Sequence, residues 1–281
     1  MAWISTQFGR FNDAPGPDPL EGLLADADEA AARRRRRGRP LPPGPTNPVM
    51  ALGVGRMSWV SLILGRMGVP LRVVDRDVVE PRNLEAGNTP FRPTDIGLPK
   101  VVAFRNLMKE QAPGVQVQAV QADLLLMPEE ELLALAHGAG VVLGLVDDGQ
   151  AIFRINEMFY RHLPVIYAAG HRGARTGDVV ISRPGEACLR CLLNIDSPAR
   201  IQTLAGEATH GIDILAIAQT CARITLALLG DRRLGDAGEV LDPSANFIFL
   251  ENRRSPGSPG GFAPRFLRIE RRPTCPVCGA F

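Results

Sequence analysis

The chain contains no uninterrupted apolar run long enough to cross a bilayer. Its most apolar helix candidate, Ile212 to Leu229, is broken by Asp213, Gln219 and Arg223, whereas a spanning helix needs about 20 predominantly apolar residues. No secretory leader is expected, because Met1 to Leu20 has no apolar core behind a basic start. A cytoplasmic location is therefore the expectation. Cysteine is scarce, with five in 281 residues, and in a cytoplasmic chain thiols serve as metal ligands or nucleophiles more often than as disulfides. Charge of one sign is not in excess: 32 Lys and Arg face 30 Asp and Glu, a net +2. Without a global basic face nucleic acid is not expected as a partner, and without an apolar span neither is a membrane.

What is present suits one large α/β domain with decorations, and 45% apolar residues supply a sizeable core. No internal repeat is visible. The one strong local bias is a Pro/Arg-rich N-terminal tail, residues 1–47. It holds Pro15, Pro17 and Pro19, an acidic patch around Asp26 and Glu29, six arginines between Arg33 and Arg39, and a proline cluster from Pro40. Such composition reads first as a solvated leader. A short helix from Leu20 to Arg36, an arginine reaching a neighbouring protomer's phosphates, and a docking segment are further readings of the same stretch.

From Val49 to Leu84 the sequence follows the plan of a nucleotide-binding βαβ unit. An apolar run, Val49 to Leu52, leads into the turn Gly53-Val54-Gly55-Arg56-Met57-Ser58. Trp59, Val60, Leu62, Ile63 and Met67 then recur at helical spacing, and Leu71 to Val74 returns as a strand ending on Asp75, with Asp77 just behind. Glycines at 53 and 55 allow a tight turn and let phosphate approach bare backbone. The helix start beyond them offers free N–H donors to an anion. An acid about twenty residues on suits ribose hydroxyls. Ser58 stands where the fingerprint's third glycine would be, and the turn alone does not choose between NAD and ATP.

After a loop from Val78 to Pro99, helices are expected at Lys100 to Gln111, Pro128 to Ala136 and Gln150 to Arg161. Strands are expected at Val115 to Val120, Val141 to Val146 and Val165 to Ala168. This alternation predicts a Rossmann-like, mainly parallel sheet with helices on both faces. The strand at Val141 ends on Asp147-Asp148, at the carboxyl edge where open α/β sheets bind ligands. There Asp147 could hold Mg²⁺ against an anionic nucleotide, while Asp148 reads as the cap of the next helix. Lys100, taken by itself, reads as a solvated lysine in a first helical turn.

Two CxxC knuckles, Cys188-Leu-Arg-Cys191 and Cys275-Pro-Val-Cys278, lie far apart in sequence. Four thiolates at this spacing suit a closed tetrahedral Zn²⁺ site, which would staple the C-terminus to the middle of the chain. A redox role is disfavoured because neither pair opens an obvious helix. Cys221 lies outside both pairs, on the apolar stripe of the Asp213 to Leu229 helix candidate with Ile214, Ile217, Ala218, Ile224 and Leu228. It reads as a core residue rather than a nucleophile.

In order along the chain, several elements resemble the ThiF/MoeB/HesA family of ubiquitin-activating-enzyme-like adenylyltransferases. They are the glycine turn, Val74-Asp75-Arg76-Asp77-Val78-Val79-Glu80 leading to Asn83-Leu84, and Asp95-Ile96-Gly97-Leu98-Pro99-Lys100. Asp147 with Asn156 downstream and both cysteine pairs complete the set. The resemblance spans roughly Val49 to Cys278, so residues 48–281 are expected to form the adenylation domain, zinc site included. It implies binding of ATP and Mg²⁺, and activation of the C-terminal carboxylate of a ubiquitin-like or sulfur-carrier protein as an acyl-adenylate. By position, Gly53 and Gly55 would line the nucleotide pocket and Asp75 or Asp77 would bind ribose. Asn83 and Lys100 would contact the phosphates, and Asp147 would place the magnesium, making Asp147, Lys100 and Asn83 the catalytic set. A homodimer is implied as well.

The chain departs from the family pattern in places. The usual Asn-Leu-x-Arg-Gln is here Asn83-Leu84-Glu85-Ala86-Gly87, without its arginine, although Arg82 and Arg92 flank the gap. Arg56 occupies a position normally held by a small residue, where it would either crowd or clamp a phosphate. No arginine-containing segment is recognisable before the first strand. Leu193 to Gly211 corresponds to a crossover loop over the substrate tail and contains no cysteine, so the chemistry is expected to stop at the acyl-adenylate. Strands are expected near Phe247 to Leu250 and Phe266 to Ile269, forming a C-terminal antiparallel extension beside the zinc knuckle, and Ser255 to Gly261 between them reads as a flexible hairpin insert. Other readings are adenylation of a peptide or small carboxylate and a non-catalytic binding scaffold. A nicotinamide-dependent oxidoreductase is a further reading, but it leaves Lys100 and the cysteine pairs without a role.

Overall fold

The computed structural model describes residues 44–171, 173–197, 210–234, 242–253 and 264–279. The Leu20–Arg36 helix, nearly all of the N-terminal tail, most of the crossover segment and the Ser255–Gly261 insert lie outside these residues. Among the described residues the core is one sheet of eight strands in the order β3-β2-β1-β4-β5-β6-β7-β8.

Strand β1 (Val49–Leu52) sits at the centre of its parallel part, and all four of its residues are fully buried. It pairs in parallel with β2 (Leu71–Asp75) on one side and β4 (Val141–Gly144) on the other. Outside these, β3 (Val117–Gln121) pairs with β2 and β5 (Val165–His171) with β4, again in parallel. Parallel neighbours need crossovers, and these are helical where the alternating pattern predicts them. Helix α1 (Ser58–Arg66) joins β1 to β2, and α2 (Lys100–Gln111) leads to β3. Then α3 (Glu129–Ala136) leads to β4 and α4 (Gly149–Phe159) to β5.

Because successive strand residues face opposite ways, β1 feeds two cores. Ala51 packs among Val60, Leu64 and Phe104, on the side of α1 and α2. Met50 and Leu52 pack with Leu132, Ile155 and Phe159, on the side of α3 and α4. Buried on both faces, the central strands read as short apolar runs rather than alternating ones.

Most element bounds follow the sequence pattern within two residues. Strand β4 stops at Gly144 instead of Val146, since the bond from Leu145 N–H to Leu52 O (2.7 Å) is the last tie before the chain leaves the sheet. One strand had no counterpart in the pattern analysis: β6 (Thr176–Ser182), which folds back antiparallel on β5. Strands β7 (Phe247–Glu251) and β8 (Pro264–Leu267) continue the antiparallel extension to the sheet edge. The Cys188 knuckle also differs from expectation, because Cys188 does precede a helix, the single turn α5 (Leu189–Leu192).

Helix α6 (Gly211–Leu228) packs against α1, β5 and β6. By length and composition alone it could cross a membrane, yet it is a core helix, with Ile214, Ile217, Ala218 and Ile224 all buried. Asp213 in its first turn pairs with Arg253 at 2.6 Å. Cys221 is fully buried on this stripe, and burial pushes its thiol up to about 12. At pH 8 its thiolate fraction is then on the order of one in ten thousand. Native protein alkylated at pH 8 and mapped by mass spectrometry should show Cys221 reacting at least about a hundredfold more slowly than in urea. Labelling at the rate of an unfolded thiol would contradict its core assignment.

Candidate functional site

The chain runs from β1 to β2 and β3 on one side of the sheet, then crosses to β4 on the other, so strand order reverses between β1 and β4. A ligand crevice is expected at that point, beyond the carboxyl ends of the strands. A cavity of about 320 Å³ opens there. At one end it is lined by Gly53, Gly55, Asp75, Lys100 and Asp123, and at the other by Tyr167, Gly170, His171, Asp178 and Ile214, with Asp147 also on its wall.

The glycine turn is tied down from both flanks. Gly53 N–H donates to Val74 O at 2.8 Å, and Val54 N–H donates to Asp75 Oδ2 at 2.6 Å. Gly53 has φ +103°, and a Cβ there would lie 2.6 Å from the Leu145 carbonyl oxygen. Glycine is therefore required where the ends of β1 and β4 come together. A Cβ at Gly55 would meet nothing within 4 Å, since this residue faces open space. Asp75 spends its second oxygen on Asp77 N–H at 2.8 Å. Burial pushes the Asp75 carboxyl up, against the pull of Lys100 and the two backbone donors.

Lys100 is not a solvated surface lysine. It is buried, its backbone N–H bonds Asp77 O at 2.9 Å, and its Nζ donates to Asp77 Oδ2 at 2.7 Å. Nearly every other charge on the cavity wall is engaged in the same way. Arg76 pairs with Asp123 at 2.8 Å, and Asp123 also accepts from Leu125 N–H. Asp148 caps α4, accepting from Gln150 N–H and Ala151 N–H at 2.8 and 2.9 Å. Asp178 accepts from or shares a proton with His171 Nε2 at 2.7 Å. Among the described residues, the cavity acid with no hydrogen bond or ion pair is Asp147, and the cation with none is Arg56.

The structure thus brings Gly53, Gly55, Asp75, Asp77, Lys100 and Asp147 to one cavity. Asn83 does not join its lining. Its Oδ1 instead accepts from Glu80 N–H at 2.8 Å, and its backbone oxygen accepts from Thr89 Oγ1 at 2.7 Å, ordering the turn Pro81–Gly87. Sequence reasoning overlooked the far wall. His171 and Asp178 meet only because β6 pairs with β5, and the missed strand left no periodic signal that joined them. The run Val179-Val180-Ile181 was the one available clue. Tyr167 also lines the cavity, with a buried hydroxyl that has no hydrogen-bond partner.

Away from the cavity, the four paired cysteines converge. Cys188 Sγ lies 3.6 Å from Cys275 Sγ, Cys191 Sγ lies 3.3 Å from Cys278 Sγ, and all four sulfurs fall within 4.8 Å of one another. Ligands about 2.3 Å from a tetrahedral Zn²⁺ sit roughly 3.8 Å apart, so the donor set fits zinc. All four residues are buried and none forms a disulfide. Native protein should carry about one zinc per chain. Cys275→Ser should release it and lower the Tm by on the order of 10 °C, because the C-terminal segment loses its anchor. Zinc-free protein by elemental analysis, at unchanged stability, would refute the site.

Known structures share this architecture. Escherichia coli MccB with MccA-N7isoASN matches at TM-score 0.65 and 19% identity, over 83% of this chain and 67% of that chain. MccB with ATP matches at TM-score 0.64 and 21% identity over the same shares. PaaA matches at TM-score 0.59 and 17% identity, over 80% of this chain and 65% of that chain. At such identities the likeness concerns the fold. A model of the ThiF family covers residues 48–257, most of the sequence, and on that match the chain belongs to the ThiF family.

Proposed function

We propose that this protein adenylates a carboxylate at the expense of ATP. The observation that carries the reading is the crevice at the β1/β4 reversal. Its glycine turn is fixed in place, its other carboxylates are engaged, and Asp147 lines the cavity with no partner among the described residues. A hard carboxylate oxygen without a partner fits Mg²⁺. When bound there, the ion would neutralise phosphate charge and orient the triphosphate.

In this reaction a carboxylate oxygen attacks the α-phosphorus of ATP. The new O–P bond forms as the bond to the bridging oxygen breaks, and pyrophosphate leaves. No proton has to move, since the attacking carboxylate is already ionised. The protein's part is placement and charge. Asp75, or Asp77, would receive ribose hydroxyls at the end of β2, and Gly55 would let a phosphate approach the turn. Lys100, held at the cavity wall by Asp77, would meet phosphate oxygens. Asn83 supports this arrangement by ordering the loop that precedes Lys100.

The resemblance favours the C-terminus of a ubiquitin-like or sulfur-carrier protein as the acceptor, with the enzyme a cytoplasmic homodimer. A peptide carboxylate is the second reading, favoured by the fold shared with MccB, which has been solved with ATP and with MccA.

ATP–pyrophosphate exchange with candidate carrier proteins and peptides tests the proposal. Asp147→Ala should reduce exchange at least about a hundredfold at unchanged Tm, because it removes a cavity carboxylate and no packing. Lys100→Ala should reduce it by about ten- to a hundredfold. Undiminished exchange in both variants would sink the residue assignment. A parent protein that binds no ATP would sink the function.

A further inference from the structure

Among the described residues, Arg56 has no hydrogen-bond or ion-pair partner to explain it. We infer that Arg56 is the phosphate clamp of this site, binding the β- and γ-phosphates of ATP and stabilising pyrophosphate as it departs. The inference rests on the reading of the crevice as an ATP site.

Position comes first. Arg56 follows Gly55 directly, is half-buried, and lines the cavity. The turn holding it keeps its bonds from Gly53 N–H to Val74 O and from Val54 N–H to Asp75 Oδ2 with the arginine in place. The side chain therefore does not crowd the turn out of shape, and the space beside it at Gly55 is open.

Charge comes second. The wall presents the carboxylates of Asp75, Asp77, Asp123, Asp147, Asp148 and Asp178, against the permanent cations of Arg56, Arg76 and Lys100. An acidic wall of this kind repels a triphosphate of about four negative charges unless cations remain to meet it. Arg76 is engaged by Asp123 and Lys100 by Asp77, so neither offers its full charge. Arg56 alone among the described cations of the cavity is uncommitted. Its planar fork suits two phosphate oxygens at once. Most of the ligand's charge lies on the β- and γ-phosphates, and more develops there as the bond to the α-phosphorus breaks, which places the free guanidinium where it is worth most.

Elimination comes third. The segment Glu85-Ala86-Gly87 carries no cation. Of the arginines on either side, Arg82 is held by Glu80, and Arg92 is held by Asp95 and by Glu110 at 2.7 Å. Neither lines the cavity. Of the three arginines Arg56, Arg82 and Arg92, Arg56 is the one that lines the cavity.

The test compares ATP and AMP binding, in Mg²⁺, to the full chain and its Arg56→Ala and Arg56→Lys variants by calorimetry. Arg56→Ala should weaken ATP at least about tenfold while AMP stays within about twofold, with Arg56→Lys recovering part of the loss. In exchange assays the KM for pyrophosphate should rise in parallel. Unchanged ATP affinity, or ATP and AMP falling together, would overturn the clamp, as would a parent that binds no ATP. A parent showing the predicted pattern but no exchange with any carboxylate would uphold the clamp and overturn adenylation, so the two failures are separable.

Discussion

One carboxylate holds the crevice in shape. Asp75, at the last position of β2, receives the Val54 N–H of the glycine turn and the Asp77 N–H of its own loop. The first bond fixes where the turn lies across the sheet, and the second directs the chain so that Asp77 reaches Lys100. Lys100 is in turn the first residue of α2, and the bridge between Val78 and Pro99 closes the intervening loop. Glycine turn, the acid at the end of β2 and buried lysine are therefore one hydrogen-bonded unit. Burial raises the Asp75 carboxyl, its backbone donors and Lys100 offset part of that cost, and both of its oxygens are hydrogen-bonded before any ligand arrives.

Most of the charged residues lining the crevice proposed to take a highly charged nucleotide are acids, and most of these are already engaged. Hydrogen bonds and ion pairs hold these groups in fixed orientations, so their dipoles need no rearrangement when charge develops nearby. Among the described residues, the charged groups left uncommitted are one acid on the β4 side and one guanidinium on the β1 side. The far wall follows the same rule, because Asp178 is engaged by His171 across the β5–β6 pair.

The cysteine cluster works on the opposite scale. It touches none of the cavity's charges, yet it joins α5, just after β6, to the last described turn of the chain. Arg272 reinforces the junction through Asp196 at 2.7 Å. Strand β8 is exposed along its whole length and ends the sheet, so its own burial contributes little to holding the C-terminus. A zinc ion held by the four thiolates would supply what that edge lacks.

The sequence by itself determined whatever depends on near neighbours along the chain. Strand β1, helix α2 and the turn between Gly53 and Ser58 were legible because periodicity, glycine and a following helix are local properties. Each cysteine pair was legible because CxxC spacing is a local constraint, and Asp148 because capping is decided within three residues, while the meeting of the two pairs is a product of the fold. Tertiary structure alone decided the rest. Only the fold showed that Lys100 is buried and bound to Asp77 across twenty-three positions of chain. Asn83 binds backbone rather than facing the crevice, and His171 meets Asp178 through a strand pairing that no pattern revealed. Whether a charge is free or spent depends on which partner the fold brings within about 3 Å, and that distance is not written in the spacing of residues.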